Sequence, residues 1–220
     1  MVNQSSSGLA ANRFERRKQR TRDELLVAAT RVLAEKGLHA TKIADIADAA
    51  DVGVGTFYLH FDTKESLYDA LVDDAVTRLK TAVDAARAGV DDPVEESRVA
   101  TRAFCRFARD NREVFKLVFG PTASRHDVVR RAQALFAHDI EQTIRDGIAR
   151  GVFGNVAPDI AAQALVGMST QLLAWWTEHE AAPVELLEET IVTLTLRGLS
   201  PGGRPEPRPG PRTKEHTDEP

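Results

Sequence analysis

The chain has 220 residues, 42% hydrophobic and 28% charged with 14 glycines, an ordinary globular composition that excludes collagen-like, wholly disordered and membrane-embedded classes. Its net charge of −4 conceals a local asymmetry, because between Arg13 and Arg22 six basic side chains face one acidic residue, Glu15. The single cysteine, Cys105, rules out an internal disulfide, a thiolate-rich zinc site or a redox pair, and fits a reducing, cytoplasmic setting.

Met1 to Ala11 is rich in small side chains and has no apolar stretch of signal-peptide length, so secretion is not expected. Residues 1–20 read as a basic arm, either a solvated tail or a contact for an anionic surface. Helical periodicity dominates the rest of the chain, which predicts an all-α fold. Thr21-Arg22-Asp23-Glu24 reads as a capping box opening a helix to Lys36, with Leu25, Ala29, Val32 and Leu33 on one stripe and Gly37 as its stop. Thr41 then caps a short helix that turns Ile43, Ile46, Ala47 and Ala50 inward. Asp51-Val52-Gly53 breaks it before another short helix from Val54 to His60. Two short helices across a tight turn form a helix-turn-helix unit, whose second helix can enter a DNA major groove.

Asp62-Thr63-Lys64-Glu65 opens a long helix with Leu67, Leu71, Ala75, Leu79, Val83 and Ala86 on one side, ending near Gly89. Further helices are expected near residues 94–109, 112–119 and 125–150; Val128, Ala132, Leu135, Phe136, Ile140, Thr143, Ile144 and Ile148 hold the period in the last. Two more follow Pro158 and Pro183. Ile160 to Thr177 carries no charge over 18 positions, near membrane-spanning length, but Gln163, Ser169, Thr170, Gln171 and Thr177 interrupt it and favour a helix buried in protein; no membrane partner is expected. Residues 199–220 hold 6 of the 10 prolines and read as a disordered tail.

The stretch Thr41 to Lys64, with Gly55-Thr56-Phe57-Tyr58-Leu59-His60-Phe61 inside it, resembles the DNA-binding domain of the TetR (tetracycline-repressor-like) family of bacterial transcription regulators. The basic arm, Lys36-Gly37, the Ile46-Ala47 pair and Lys64 belong to the same pattern, which covers about residues 21–70. Two positions depart from it. Asp51 stands at the turn where the family often has Gly, and Gly53-Val54 replace a common Ser and basic residue, so no arginine is available there for guanine, and Val54 could at most pack on a thymine methyl.

The resemblance implies a helix-turn-helix DNA-binding domain over 21–63 and a helical effector-binding and dimerisation domain over 64–198. Expected DNA contacts are Arg17 and Arg20 from the arm, Thr41 and Lys42 at a helix start, Val54, Gly55, Thr56, Tyr58, Leu59 and His60 on the recognition segment, and Lys64. A lysine in the first turn of a helix opposes the macrodipole, and a bound phosphate would explain it. Gly55 serves either close backbone approach or helix slack. Phe57 and Phe61, one turn apart, read as core partners of Ile46 and Leu25.

For a ligand the candidates are Phe104, Phe107, Phe115, Phe119, Phe136, Ile140, Met168 and Trp175, each of which could equally be plain core. Asp139 lies on a mainly apolar face, where it could meet a cationic ligand or pair with Arg106 or Arg109. Ala161, Ala164, Leu165, Met168, Leu172 and Trp175 on one late helix, with Leu187, Ile191 and Leu194 on the next, could close by symmetry into a four-helix dimer bundle or form an intramolecular core. The six histidines show no metal-ligand spacing, so neither metal nor cofactor is expected. The expected function is a homodimeric repressor released from a palindromic double-stranded operator by a small hydrophobic effector. The alternative is a helical regulator controlled by a protein partner or by no ligand. No motif marks an enzyme: Cys105 stands without a catalytic pattern, and no phosphate loop appears.

Overall fold

The computed structural model describes residues 5–119, 126–179 and 181–202. Every regular element among them is a helix: α1 (Ser5–Ala40), α2 (Ile43–Ala49), α3 (Val54–Tyr58), α4 (Lys64–Arg87), α5 (Pro93–Asp110), α6 (Arg112–Phe119), α7 (His126–Ala149), α8 (Pro158–Glu178) and α9 (Val184–Leu199). The all-α expectation and the helix order hold. Arg125 and residues 203–220 of the expected tail lie outside the described residues, as do the side chains of Phe119, Val128 and Ala132.

The first helix does not start at the Thr21 box. Gln19 donates to Asp23 at 2.8 Å and Arg20 pairs with Glu24 at 3.4 Å, so side-chain pairs one turn apart carry the helix through Thr21. The basic arm is therefore a helical extension of α1. Gly37 interrupts it with φ 74 and ψ 162, a conformation that glycine adopts without a Cβ clash. Asp51 supplies the other sharp reversal at φ 54, performing the left-handed role that glycine often takes.

Three local expectations shift by a residue or two. The N-cap of α2 is Lys42 rather than Thr41, and the Asp45 carboxylate accepts the Lys42 N–H at 2.9 Å. The α3 helix ends at Tyr58, and Phe61 N–H bonds the Phe57 carbonyl at 3.0 Å in a turn that sends both rings into the core. At α4 the reciprocal cap joins Thr63 to Ser66 rather than Asp62 to Glu65: the Thr63 hydroxyl accepts the Ser66 N–H at 3.0 Å and the Ser66 hydroxyl accepts the Thr63 N–H at 3.2 Å.

Leu25, Leu33, Ile46, Phe57, Leu67 and Tyr68 form a core beneath α1 to α4, fully closed to solvent. Burial of each such side chain contributes about 1.5–3 kcal/mol. The α6 residues Val114, Leu117 and Val118 join this core, and the Tyr68 hydroxyl donates to the Leu117 carbonyl at 3.3 Å. Hence α6 ties the N-terminal unit to the larger helical body. There α4, α5, α6, α8 and α9 share a second core around Leu79, Cys105, Phe115, Leu173 and Trp176, while α7, α8 and α9 close around Phe153. No helix among the described residues is long and apolar enough to cross a membrane.

Candidate functional site

The short α3 helix sorts its side chains between core and solvent. Phe57 is buried, whereas Val54, Gly55, Tyr58 and Leu59 are exposed, with Tyr58 at 53% and Leu59 at 74%. Thr56 and His60 are half-buried at the edge of this face. A Cβ added at Gly55 would meet nothing within 4 Å, so no neighbouring part of the chain requires glycine there, while a surface approaching from outside would benefit from it. Large apolar and aromatic side chains left in water on so small a unit mark a surface shaped for a partner.

Basic charge gathers beside this face. Arg17 and Arg20 are exposed along the α1 extension, and the guanidinium of Arg22 lies 5.1 Å from the centre of the Phe61 ring. Partial burial, with Lys18 and Arg22 close by, holds His60 below its ordinary pKa. Lys42 is exposed at the start of α2.

Two expected phosphate contacts have other work. Thr41 is buried, and its hydroxyl donates to the Gly37 carbonyl at 2.7 Å, so it locks the α1–α2 turn instead of presenting a donor outward. The Lys64 ammonium donates to the carbonyls of Leu38 at 2.7 Å, Thr41 at 2.9 Å and His39 at 3.2 Å. Those three bonds use its three donors. Backbone carbonyls of the α1–α2 turn, beyond the Gly37 break, thus account for a lysine at the start of α4.

In the larger body a cavity of about 140 Å³ opens between α4, α5, α6, α7, α8 and α9. Six of the residues expected to meet a ligand line it: Phe104, Phe107, Phe115, Phe136, Asp139 and Ile140. Phe104 and Phe107 each set an edge against Phe115, at 5.7 and 6.2 Å between ring centres. Met168 and Trp175 are not in the lining. Met168 packs on the second core, and Trp175, 46% exposed, stacks on His179 with ring centres 4.1 Å apart. Asp139 pairs with Lys80 at 2.8 Å, not with Arg106 or Arg109.

The lining that sequence reasoning missed includes one whole wall from a single helix. Val72, Ala75, Val76, Leu79, Val83 and Arg87 of α4 form a wall, and their apolar spacing in the sequence looks the same as that of an ordinary core stripe. Also missed is a polar group at the far end of α4, where Arg87 Nε donates to Glu96 Oε1 at 2.6 Å and Arg87 Nη2 donates to the Thr143 hydroxyl at 2.9 Å. These residues come from three helices, so no spacing in the sequence announces them.

On the outside of α8 and α9 Ile160, Ala164, Gly167, Gln171 and Trp175 recur at helical spacing and are exposed, as are Leu186 and Leu194. Of the three α9 residues expected on a pairing face, Leu187 and Ile191 are buried in the chain's own core and Leu194 is exposed.

Comparison with known proteins agrees with these two regions. Residues 25–71 match the family profile described as bacterial regulatory proteins, tetR family, and residues 90–199 match that of the tetracyclin repressor-like C-terminal domain. The transcriptional activator FasR of Mycolicibacterium smegmatis is 34% identical over 98 residues, 44% of this chain and 45% of FasR, so the match spans under half of that relative. The transcriptional repressor KstR2 of Rhodococcus jostii is 51% identical over 51 residues, 23% of this chain and 25% of KstR2. In shape the chain is similar to the fatty acid degradation regulator FadR of Bacillus halodurans, with a TM-score of 0.75 at 20% identity over 81% of this chain and 95% of that one. It is also similar to FadR of Bacillus subtilis, solved in complex with stearoyl-CoA, with a TM-score of 0.72 at 16% identity over 80% and 97%. At such identities the likeness is one of fold.

Proposed function

Since the chain belongs to the TetR family of bacterial transcription regulators, we propose that it is a homodimeric repressor that leaves a palindromic operator when a small hydrophobic molecule enters the helical body. The support comes from one shared helix. The same α4 fastens the DNA-reading unit through Lys64 at its first turn and walls the cavity from Val72 to Arg87. A ligand that displaces the α4 wall moves the recognition segment with it.

In the proposed complex Arg17, Arg20 and Lys42 hold phosphates, while Val54, Gly55, Thr56, Tyr58, Leu59 and His60 face the groove. Two such units must sit about 34 Å apart to enter successive major grooves. The exposed apolar stripe of α8 and α9 is the surface that pairs the subunits, because one small reading unit binds too weakly to select a genomic site. The ligand acts by population shift: it binds the conformer whose recognition segments are misplaced, and the operator must then weaken ligand binding by the same factor. The lining is mostly aromatic and aliphatic, which suits a hydrocarbon body, and the stearoyl-CoA held by the Bacillus subtilis neighbour is of that character. Occupying promoter DNA in the absence of ligand makes repression the direct outcome.

Footprinting on the DNA upstream of the gene tests this reading, together with sedimentation of the purified chain. A protected inverted repeat and a dimer in solution support it. Protection without symmetry, or a monomer, would remove the paired-subunit mechanism.

A further inference from the structure

Resting on the reading of the cavity as a ligand chamber, we infer that the chamber selects amphiphiles with an uncharged, oxygen-bearing head, and that Glu96 enforces this by occupying Arg87. The head group would lie at the Arg87–Glu96–Thr143 cluster. The hydrocarbon body would run toward Phe104 and Phe107, which stand eight and eleven residues beyond Glu96 on α5, about 12–16 Å along the helix axis.

The selectivity comes from charges that are already paired. Arg87, Glu96 and Asp139 are the charged residues of the described lining, and each has an opposite partner: Arg87 with Glu96, and Asp139 with Lys80 at 2.8 Å. Arg87 and Glu96 are only 21% and 18% exposed. A carboxylate head would have to share the guanidinium with Glu96, where two anions repel, or expel Glu96 and leave it unpaired in a half-buried place. An ammonium head meets the converse difficulty, because both carboxylates are already neutralised. An uncharged hydroxyl or carbonyl disturbs neither pair. The bonds to Glu96 among the described residues all use Oε1, including one from the Thr143 hydroxyl at 3.2 Å, which leaves Oε2 to accept a hydrogen bond from an alcohol. The Thr143 hydroxyl accepts from Arg87 and spends its one proton within the cluster, so it braces the pair without adding charge.

Three probes of equal chain length separate the possibilities: 1-decanol, decanoate and decylamine, titrated calorimetrically below micellar concentration into the full-length protein. Decanol is expected to bind at least about tenfold more tightly than either charged probe. In Glu96→Gln, which frees Arg87 and adds one positive charge, decanoate should gain about tenfold or more and overtake decanol. Far-UV circular dichroism establishes that the variant is folded, and the wild-type ranking is a test that needs no variant. Decanoate binding as tightly as decanol in the wild type, or a folded Glu96→Gln with unchanged ranking, would overturn the head-group assignment while leaving the chamber a ligand site. No binding of any probe would overturn the ligand chamber itself.

Discussion

Lys64 Nζ lies 2.7 Å from the carbonyl oxygen of Leu38, so the first turn of α4 is bound to the last turn of α1 across 26 residues of sequence. The bond joins a cation to backbone carbonyls just beyond the Gly37 break and holds the α1–α2 turn against α4. Replacing Lys64 by Met should therefore cost about 1.5–3 kcal/mol of stability, the range for hydrogen bonds to a charged group. Thermal or urea unfolding checks this. A variant that loses operator affinity with no change in unfolding midpoint would return Lys64 to the role of a phosphate contact.

Tyr58 behaves oppositely. Its ring is more than half exposed, and its nearest ring contact is the buried Phe57 at 5.6 Å. Tyr58→Ala should change the unfolding free energy by about 0.5 kcal/mol or less while weakening operator binding roughly tenfold, measured by anisotropy.

The helical arm gives an ionic signature. If about 8 phosphates are neutralised per dimer, the logarithm of the binding constant falls against log salt with a slope near −7. Arg17→Ala and Arg20→Ala should each reduce that slope by about one for every phosphate no longer neutralised, without altering sequence preference. Arg20 forfeits little elsewhere, since its 3.4 Å pair with Glu24 is solvent-exposed.

Cys105 is 1% exposed, and burial pushes its thiol pKa up to about 12. It should resist a thiol reagent at pH 8 in the native protein and react fully once unfolded. The unfolded thiol ionises near pH 9.0 and the folded one near 12, so its contribution to stability is unchanged below pH 9 and declines as pH rises between the two values. Rapid native reaction at pH 8 would contradict the burial of this residue.

Ala100 lines the chamber on α5, next to the aromatic cluster. Ala100→Trp should fill the space from the α5 side and abolish ligand binding, while operator affinity stays within about threefold because the indole leaves the α4 wall in place. Calorimetry and anisotropy on the same preparation read the two effects.

Local features were legible in the sequence. Helical period located the helices, the chemistry of Asp51 anticipated its positive φ, and the one-turn spacing of Phe57 and Phe61 indicated their burial. Aromatic density on α5, α6 and α7 pointed to the chamber. Features that depend on tertiary approach were hidden. Lys64 looked like an anion ligand because the carbonyls of Leu38, His39 and Thr41 that satisfy it are 23 to 26 residues away. Trp175 kept a helical period with the core yet falls on the outer side of α8, and Met168 packs on the second core without lining the chamber, since an 18-residue uncharged run gives no clue to which face turns inward. The Arg87–Glu96–Thr143 group joins three helices, and the α4 wall differs from a core stripe only in the space opposite it.

Coupling through α4 is open to test by fluorescence anisotropy of the purified protein on its own upstream DNA, with unrelated DNA as competitor, before and after addition of 1-decanol. Coupling predicts tight, salt-sensitive, competitor-resistant binding that decanol reverses in wild type but not in Ala100→Trp. Specific binding that chamber occupancy leaves unchanged would contradict a mechanism in which α4 carries the signal from cavity to recognition segment.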